Sequence, residues 1–258
     1  LPVVVNPHGG PWARDSWGYN PEVQFLANRG YAVLQMNFRG STGYGRKFKE
    51  LSYKQWGQTM QNDITDGVRW LISQGIADST RIAIYGGSYG GYMTNKLIGR
   101  TNVFAAAVTQ RCLANTATSY GTGDMGFVSS RQIPKHFHML DYLEDRARGN
   151  IISYIDHFKV PLLILHAYQD YRCGFEQAEQ VFIPMKERNP EIPCRMVMFP
   201  NENHGMTRNG KLYHQVRHLQ EMTNWFVKYL IEEPDWKTKA DEKSEKDTDF
   251  MKTQEVKG

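Results

Sequence analysis

The chain of 258 residues is 40% apolar and 12% aromatic, enough to bury the core of one large α/β domain, the size of an enzyme. Its 31 basic and 27 acidic residues are interspersed, giving a net charge of +4 with no Lys/Arg cluster or zinc-finger pattern, so nucleic acid is not an expected partner. Cys112, Cys173 and Cys194 form neither a disulfide framework nor a Cys-x-x-Cys metal site, and no run approaches the roughly 18 apolar residues of a membrane span.

The first residues, Leu1-Pro2-Val3-Val4-Val5, already read as a core strand without an initiator Met, as in a piece of a longer chain. The amino terminus lacks the charged-then-apolar pattern of a secretory signal, and a soluble, cytoplasmic protein is the default expectation. Short, near-continuously apolar runs predict strands at Pro2–Asn6, Ala32–Asn37, Arg81–Tyr85, Ala105–Thr109, Leu162–His166 and Arg195–Phe199. Helices are predicted between them near Pro21–Arg29, Trp56–Gln74, Tyr92–Gly99, Gln177–Arg188 and Tyr213–Ile231. In the second of these, Met60, Ile64, Val68, Leu71 and Ile72 share a face, and Asp63 and Asp66 fall on another as surface or capping groups. The alternation predicts an α/β fold: a mostly parallel, doubly wound sheet with helices on both faces, spanning 1–231. The segment 113–155 breaks the pattern and is expected to form a cap or pocket wall. Residues 232–258 alternate Lys with Asp and Glu and predict a charged, mobile tail.

Between the third strand and third helix stands Gly86-Gly87-Ser88-Tyr89-Gly90-Gly91, which contains Gly-x-Ser-x-Gly. In that setting the glycines let strand and helix pass closely while the serine is held in a strained turn, clear of the sheet. No Lys-Ser/Thr pair follows, as a phosphate-binding loop would need, and no dinucleotide-binding register fits.

A serine hydroxyl needs a histidine to take its proton and a carboxylate to orient that histidine. In the order expected of an α/β-hydrolase, Asp170 follows the fifth strand and His204 the sixth, both at carboxyl ends. Asp156 and Glu176 compete for the acid's place, and seven other histidines for the base's. His214 and His218 sit four apart on a helix but lack the Glu of a zinc-binding His-Glu-x-x-His, so neither a metal nor another cofactor is expected. An oxyanion needs donors worth roughly 3–4 kcal/mol each; the Tyr89 N–H and the loop Pro7-His8-Gly9-Gly10-Pro11 can supply them.

With these residues go Asn37-Phe38-Arg39-Gly40-Ser41-Thr42-Gly43-Tyr44-Gly45, Trp56-Gly57 with Asp63, Asp170-Tyr171-Arg172-Cys173 and Asn203-His204-Gly205. From about Leu1 to Leu230 the chain resembles the catalytic α/β-hydrolase domain of the prolyl oligopeptidase family, in its acylaminoacyl-peptidase-like branch. The resemblance implies a serine peptidase acting near the ends of short or N-acylated peptides, with Ser88 as nucleophile, His204 as base and Asp170 as orienting acid. It further implies Gly10 and Tyr89 as oxyanion donors and Arg172 as a ligand of a substrate carbonyl beside the scissile bond. Family members carry an amino-terminal β-propeller over the active site, which nothing in Leu1–Gly258 can form; homo-oligomerisation stays open. Two alternatives remain at this point: a carboxylic-ester hydrolase with the same triad, and a non-catalytic module that kept the fold.

Overall fold

The computed structural model describes residues 1–125 and 149–236. Six strands form one sheet: β1 (Val3–Asn6), β2 (Ala32–Gln35), β3 (Ile82–Gly87), β4 (Ala106–Gln110), β5 (Leu162–Ala167) and β6 (Cys194–Phe199). Their order is β2-β1-β3-β4-β5-β6 and every pairing is parallel. Strands β3, β4 and β5 are buried almost throughout, which is why they read as unbroken apolar runs.

Among the described residues the helices are α1 (Pro21–Ala27), α2 (Arg46–Glu50), α3 (Thr59–Ser73), α4 (Tyr89–Ile98), α5 (Thr116–Thr122), α6 (Glu176–Arg188), α7 (Met206–Asn209) and α8 (Leu212–Val227). A 3₁₀ segment lies at Ile152–His157, and Lys228–Glu232 continues α8 in π geometry. α1 packs against α8, α3 against α4, and α6 against β5 and β6. Met60, Ile64, Val68 and Leu71 of α3 are buried, on the face the periodicity predicts. Asp63 lies outside that face and receives the Arg39 backbone N–H at 2.8 Å and the Arg39 guanidinium at 2.5–3.1 Å, pinning the loop that follows β2.

Several elements depart from the sequence prediction. β3 runs two residues further, through Gly86 and Gly87, and α4 begins three residues earlier, at Tyr89, so that strand and helix are separated by Ser88 alone. α5 was not predicted: its sequence, Thr-Ala-Thr-Ser-Tyr-Gly-Thr, is a poor helix former, and Asn115 secures it by accepting from the N–H groups of Ala117 and Thr118. Trp236, read in the sequence as part of the charged tail, is buried and joins the core. The remaining tail, 237–258, and 126–148 of the expected pocket wall lie outside the described residues. The wall is anchored at both ends: Gln177 Oε1 accepts from Ala114 and Asn115, and Asn150 Oδ1 accepts from Thr116. Among the described residues no helix is long and apolar enough to cross a membrane.

The chain runs outward from β1 to β2 and returns to β3 on the other side of β1. The loops after β1 and β3 therefore diverge at their carboxyl ends, where an open α/β sheet forms a crevice.

Candidate active site

Ser88 occupies that crevice. Its φ of 60° and ψ of −122° place a non-glycine residue in a backbone region that costs energy and persists only when the surroundings enforce it. They do so by crowding: a Cβ on Gly86 would lie 2.5 Å from the backbone carbonyl group of Gly90, and one on Gly90 would strike the carbonyl oxygen of Pro7. The Ser88 side chain does not cap α4, so its hydroxyl is not consumed by the helix end.

The residues expected as acid and base meet. His204 Nδ1 lies 2.7 Å from Asp170 Oδ2, while Asp170 Oδ1 accepts from the backbone N–H groups of Arg172 and Cys173, each at 2.9 Å. Burial alone would raise the Asp170 carboxyl, but the His204 hydrogen bond and charge, with the Cys173 N–H, leave it below its usual value. An ionised Asp170 accepts, so His204 donates from Nδ1 and presents Nε2 as the basic nitrogen. Ser88 and His204 line one cleft of about 680 Å³ together with Gly10, Tyr89 and Arg172. The structure thus gathers all six residues singled out in the sequence, Asp170 standing behind His204. The Ser88 hydroxyl forms no hydrogen bond among the described residues; in unliganded sites of this type that bond is often long.

The competitors are engaged elsewhere. Asp156 pairs with Arg188, Glu176 accepts from Thr122, and Glu202 bonds His214 Nδ1 at 2.6 Å, which occupies the first histidine of the helical pair. His166 sits behind the acid, its Nε2 2.8 Å from the Cys173 carbonyl oxygen; burial lowers its pKa and keeps the ring neutral. His136 and His138 lie outside the described residues. Among the described residues no cluster of His, Cys, Asp and Glu could hold a metal ion.

Around the oxyanion side, Gly10 has φ of 127°, a left-handed conformation that favours glycine. Its loop is braced by His8, which stacks on Phe38 at 4.4 Å and lies 2.8 Å from Ser41 Oγ. Trp12 Nε1 donates to Ser52 Oγ, and Trp56 packs edge-on against Tyr89 at 4.7 Å. The stretches around Phe38, Ser41 and Trp56 that help to carry the family resemblance therefore pack against the segment 8–12. Arg172 gives Nε and Nη2 to Asp124 at 2.6 and 3.1 Å.

Comparison with known proteins places the chain in a family. The model of the prolyl oligopeptidase family matches residues 17–233. The chain belongs to the prolyl oligopeptidase family. It is 38% identical over 232 residues to an uncharacterised peptidase, YuxL, of Bacillus subtilis, covering 89% of this chain and 35% of that protein. It is likewise 38% identical to dipeptidyl aminopeptidase BIII of Pseudoxanthomonas mexicana, covering 84% of this chain and 32% of the relative. The solved acylaminoacyl peptidase of Pyrococcus horikoshii superposes with a TM-score of 0.82 at 28% identity, covering 89% of this chain and 37% of that one. The chain thus spans about a third of the length of the relatives it matches. Family membership carries the α/β-hydrolase fold with it, as predicted.

Arg111 was not singled out in the sequence. It follows β4 at φ of 38°, lines the cleft, and donates from Nη1 to Thr207 Oγ1 at 2.8 Å. Its only signal was its position, a basic residue directly at a strand's carboxyl end beside the expected pocket wall.

Proposed function

We propose that this chain is the catalytic unit of a serine peptidase that cleaves peptide bonds near the end of short or N-acylated peptides. The observation that carries the reading is the His204–Asp170 hydrogen bond, set in the same cleft as a serine held at positive φ. Ser88 Oγ attacks the scissile carbonyl carbon as His204 Nε2 takes its proton. The new positive charge on the imidazole is met by Asp170 through Nδ1–H. Backbone N–H groups of Gly10 and Tyr89 receive the oxyanion. Collapse of the tetrahedral adduct breaks the C–N bond, His204 delivers the proton to the departing amine, and an ester to Ser88 remains. Water, deprotonated by His204, then releases the acid and restores the hydroxyl. Arg172 hydrogen-bonds the substrate carbonyl next to the scissile bond. Peptidase action is preferred to simple esterase action because the relatives include a dipeptidyl aminopeptidase and an acylaminoacyl peptidase.

The test pairs an acetylated amino-acid anilide with the matching nitrophenyl ester, each with and without a fluorophosphonate. Anilide turnover that stops on labelling, and is absent in Ser88→Ala with its thermal midpoint preserved, is the expected result. Turnover of the ester alone would replace the peptidase reading by an esterase, and undiminished activity in Ser88→Ala would remove Ser88 from the mechanism.

A further inference from the structure

The nucleophile and the base stand on loops after β3 and β6, which the sheet separates by two strands. Something must fix the span between them, because reacting groups displaced by about 1 Å lose on the order of 100-fold in rate. The dipeptide Gln110-Arg111, at the end of the intervening β4, contacts the turn that bears Ser88, the strand that leads to Asp170 and the segment that follows His204. The Gln110 carbonyl accepts from the Ser88 N–H at 3.0 Å. The Arg111 N–H donates to the Leu165 carbonyl at 2.9 Å, on the strand that leads to Asp170. The Arg111 side chain then reaches in two directions. Its guanidinium lies over Gly87, the residue before the nucleophile, so closely that a Cβ on Gly87 would be 2.7 Å from Nη2 and 2.8 Å from Cζ. From the same group, Nη1 donates to Thr207, three residues past His204 and in the first turn of α7.

Two further facts mark the placement as enforced. Arg111 adopts positive φ without being glycine, asparagine or aspartate, and its Nε is buried without a hydrogen-bond partner among the described residues. A guanidinium offers five donors; only a placement fixed by the surroundings leaves a buried one unused.

We infer that Arg111 is a positioning residue: one side chain ties the turn bearing Ser88 to the loop bearing His204 and sets their separation. The inference rests on Ser88 and His204 acting as nucleophile and base, and the experiment separates the two claims. Arg111→Met, Thr207→Val and the double variant are compared with the unaltered chain for kcat and KM on the anilide and for the rate of fluorophosphonate labelling, with thermal midpoints alongside. Thr207→Val is expected to lower kcat about 10-fold and Arg111→Met up to about 100-fold, with KM moving less than about 3-fold and labelling slowed in parallel. The double variant should be no slower than Arg111→Met, since both substitutions remove the same tie. A merely structural role would lower the thermal midpoint and leave kcat per folded molecule unchanged, and would overturn the inference. So would losses that multiply in the double variant. If Arg111→Met does not fold, Thr207→Val decides by itself: it keeps the side chain's shape, and wild-type labelling in that variant would refute the tie. An unaltered chain that is not labelled at Ser88 would instead bring down the nucleophile assignment, whatever the variants do.

Discussion

Arg172 is half exposed, yet its planar group is not free to swing, because Asp124 takes Nε and Nη2 as a two-pronged pair. That clamp orients what remains of the guanidinium, which lines the cleft beside His204. A charge-assisted hydrogen bond to a substrate carbonyl is worth roughly 1.5–3 kcal/mol, so Arg172→Ala should raise KM for a peptide anilide at least about tenfold. A nitrophenyl ester of a simple acid has no neighbouring carbonyl and should change less than about threefold. Equal losses on both substrates, measured side by side, would show that Arg172 does not read the peptide. At this scale the sequence was readable where chemistry demands a residue type in a fixed order: Ser88, Asp170 and His204 each end a strand-to-loop step. Arg111 and Thr207 were not readable, because their meaning is a distance between two loops and neither side chain announces it. Asp124 was opaque for the same reason: its partner lies 48 positions away.

The elbow between β3 and α4 is the element on which the site depends, and its glycines are conditions of geometry. Gly90→Ala would push a methyl group into the Pro7 carbonyl, on the very loop that carries Gly10. The expected cost is roughly 1–3 kcal/mol, read as a lowered urea midpoint, with a fall in kcat as the Gly10 N–H is displaced. Unchanged kcat in a folded Gly90→Ala protein would mean that this loop does not serve the oxyanion. The strands were legible because burial on both faces leaves them continuously apolar, as in Ile82-Ala83-Ile84 and Leu162-Leu163-Ile164-Leu165. Helix starts were less so. Glycines argue against helix by propensity, yet Gly90 and Gly91 lie in the first turn of α4, because close packing there outweighs the entropy they cost. α5 was invisible because its stability comes from the Asn115 cap and from contacts with Gln177 and Gln180, distant in sequence.

For the molecule as a whole, one buried histidine sets an acid limit. His218 in α8 is 1% exposed, and burial, with the Arg111 charge adding to it, pushes its pKa down to about 3. An unfolded histidine titrates near 6.5, so between those values the unfolded chain binds more protons and stability falls as pH falls. Above about pH 6.5 both states are neutral at this position and the effect vanishes; toward pH 3 it reaches the order of 4 kcal/mol. His218→Leu should therefore gain stability relative to the unaltered chain as pH drops from 7 to 4, seen as diverging urea midpoints. Parallel midpoints across that range would assign the acid limit to other groups. The family motifs were legible at this scale because they form one braced shell, in which His8, Phe38, Ser41, Trp56 and Asp63 hold the loops around the cleft. All ten residues of α4 are buried. The Ser88 hydroxyl is thus mounted on a segment with no solvent-facing side from which to fray, and such segments open only when the whole domain does. On the proposed mechanism, molecules that can acylate and molecules that are folded become the same population, so a covalent titrant of Ser88 would serve as a counter of native chains.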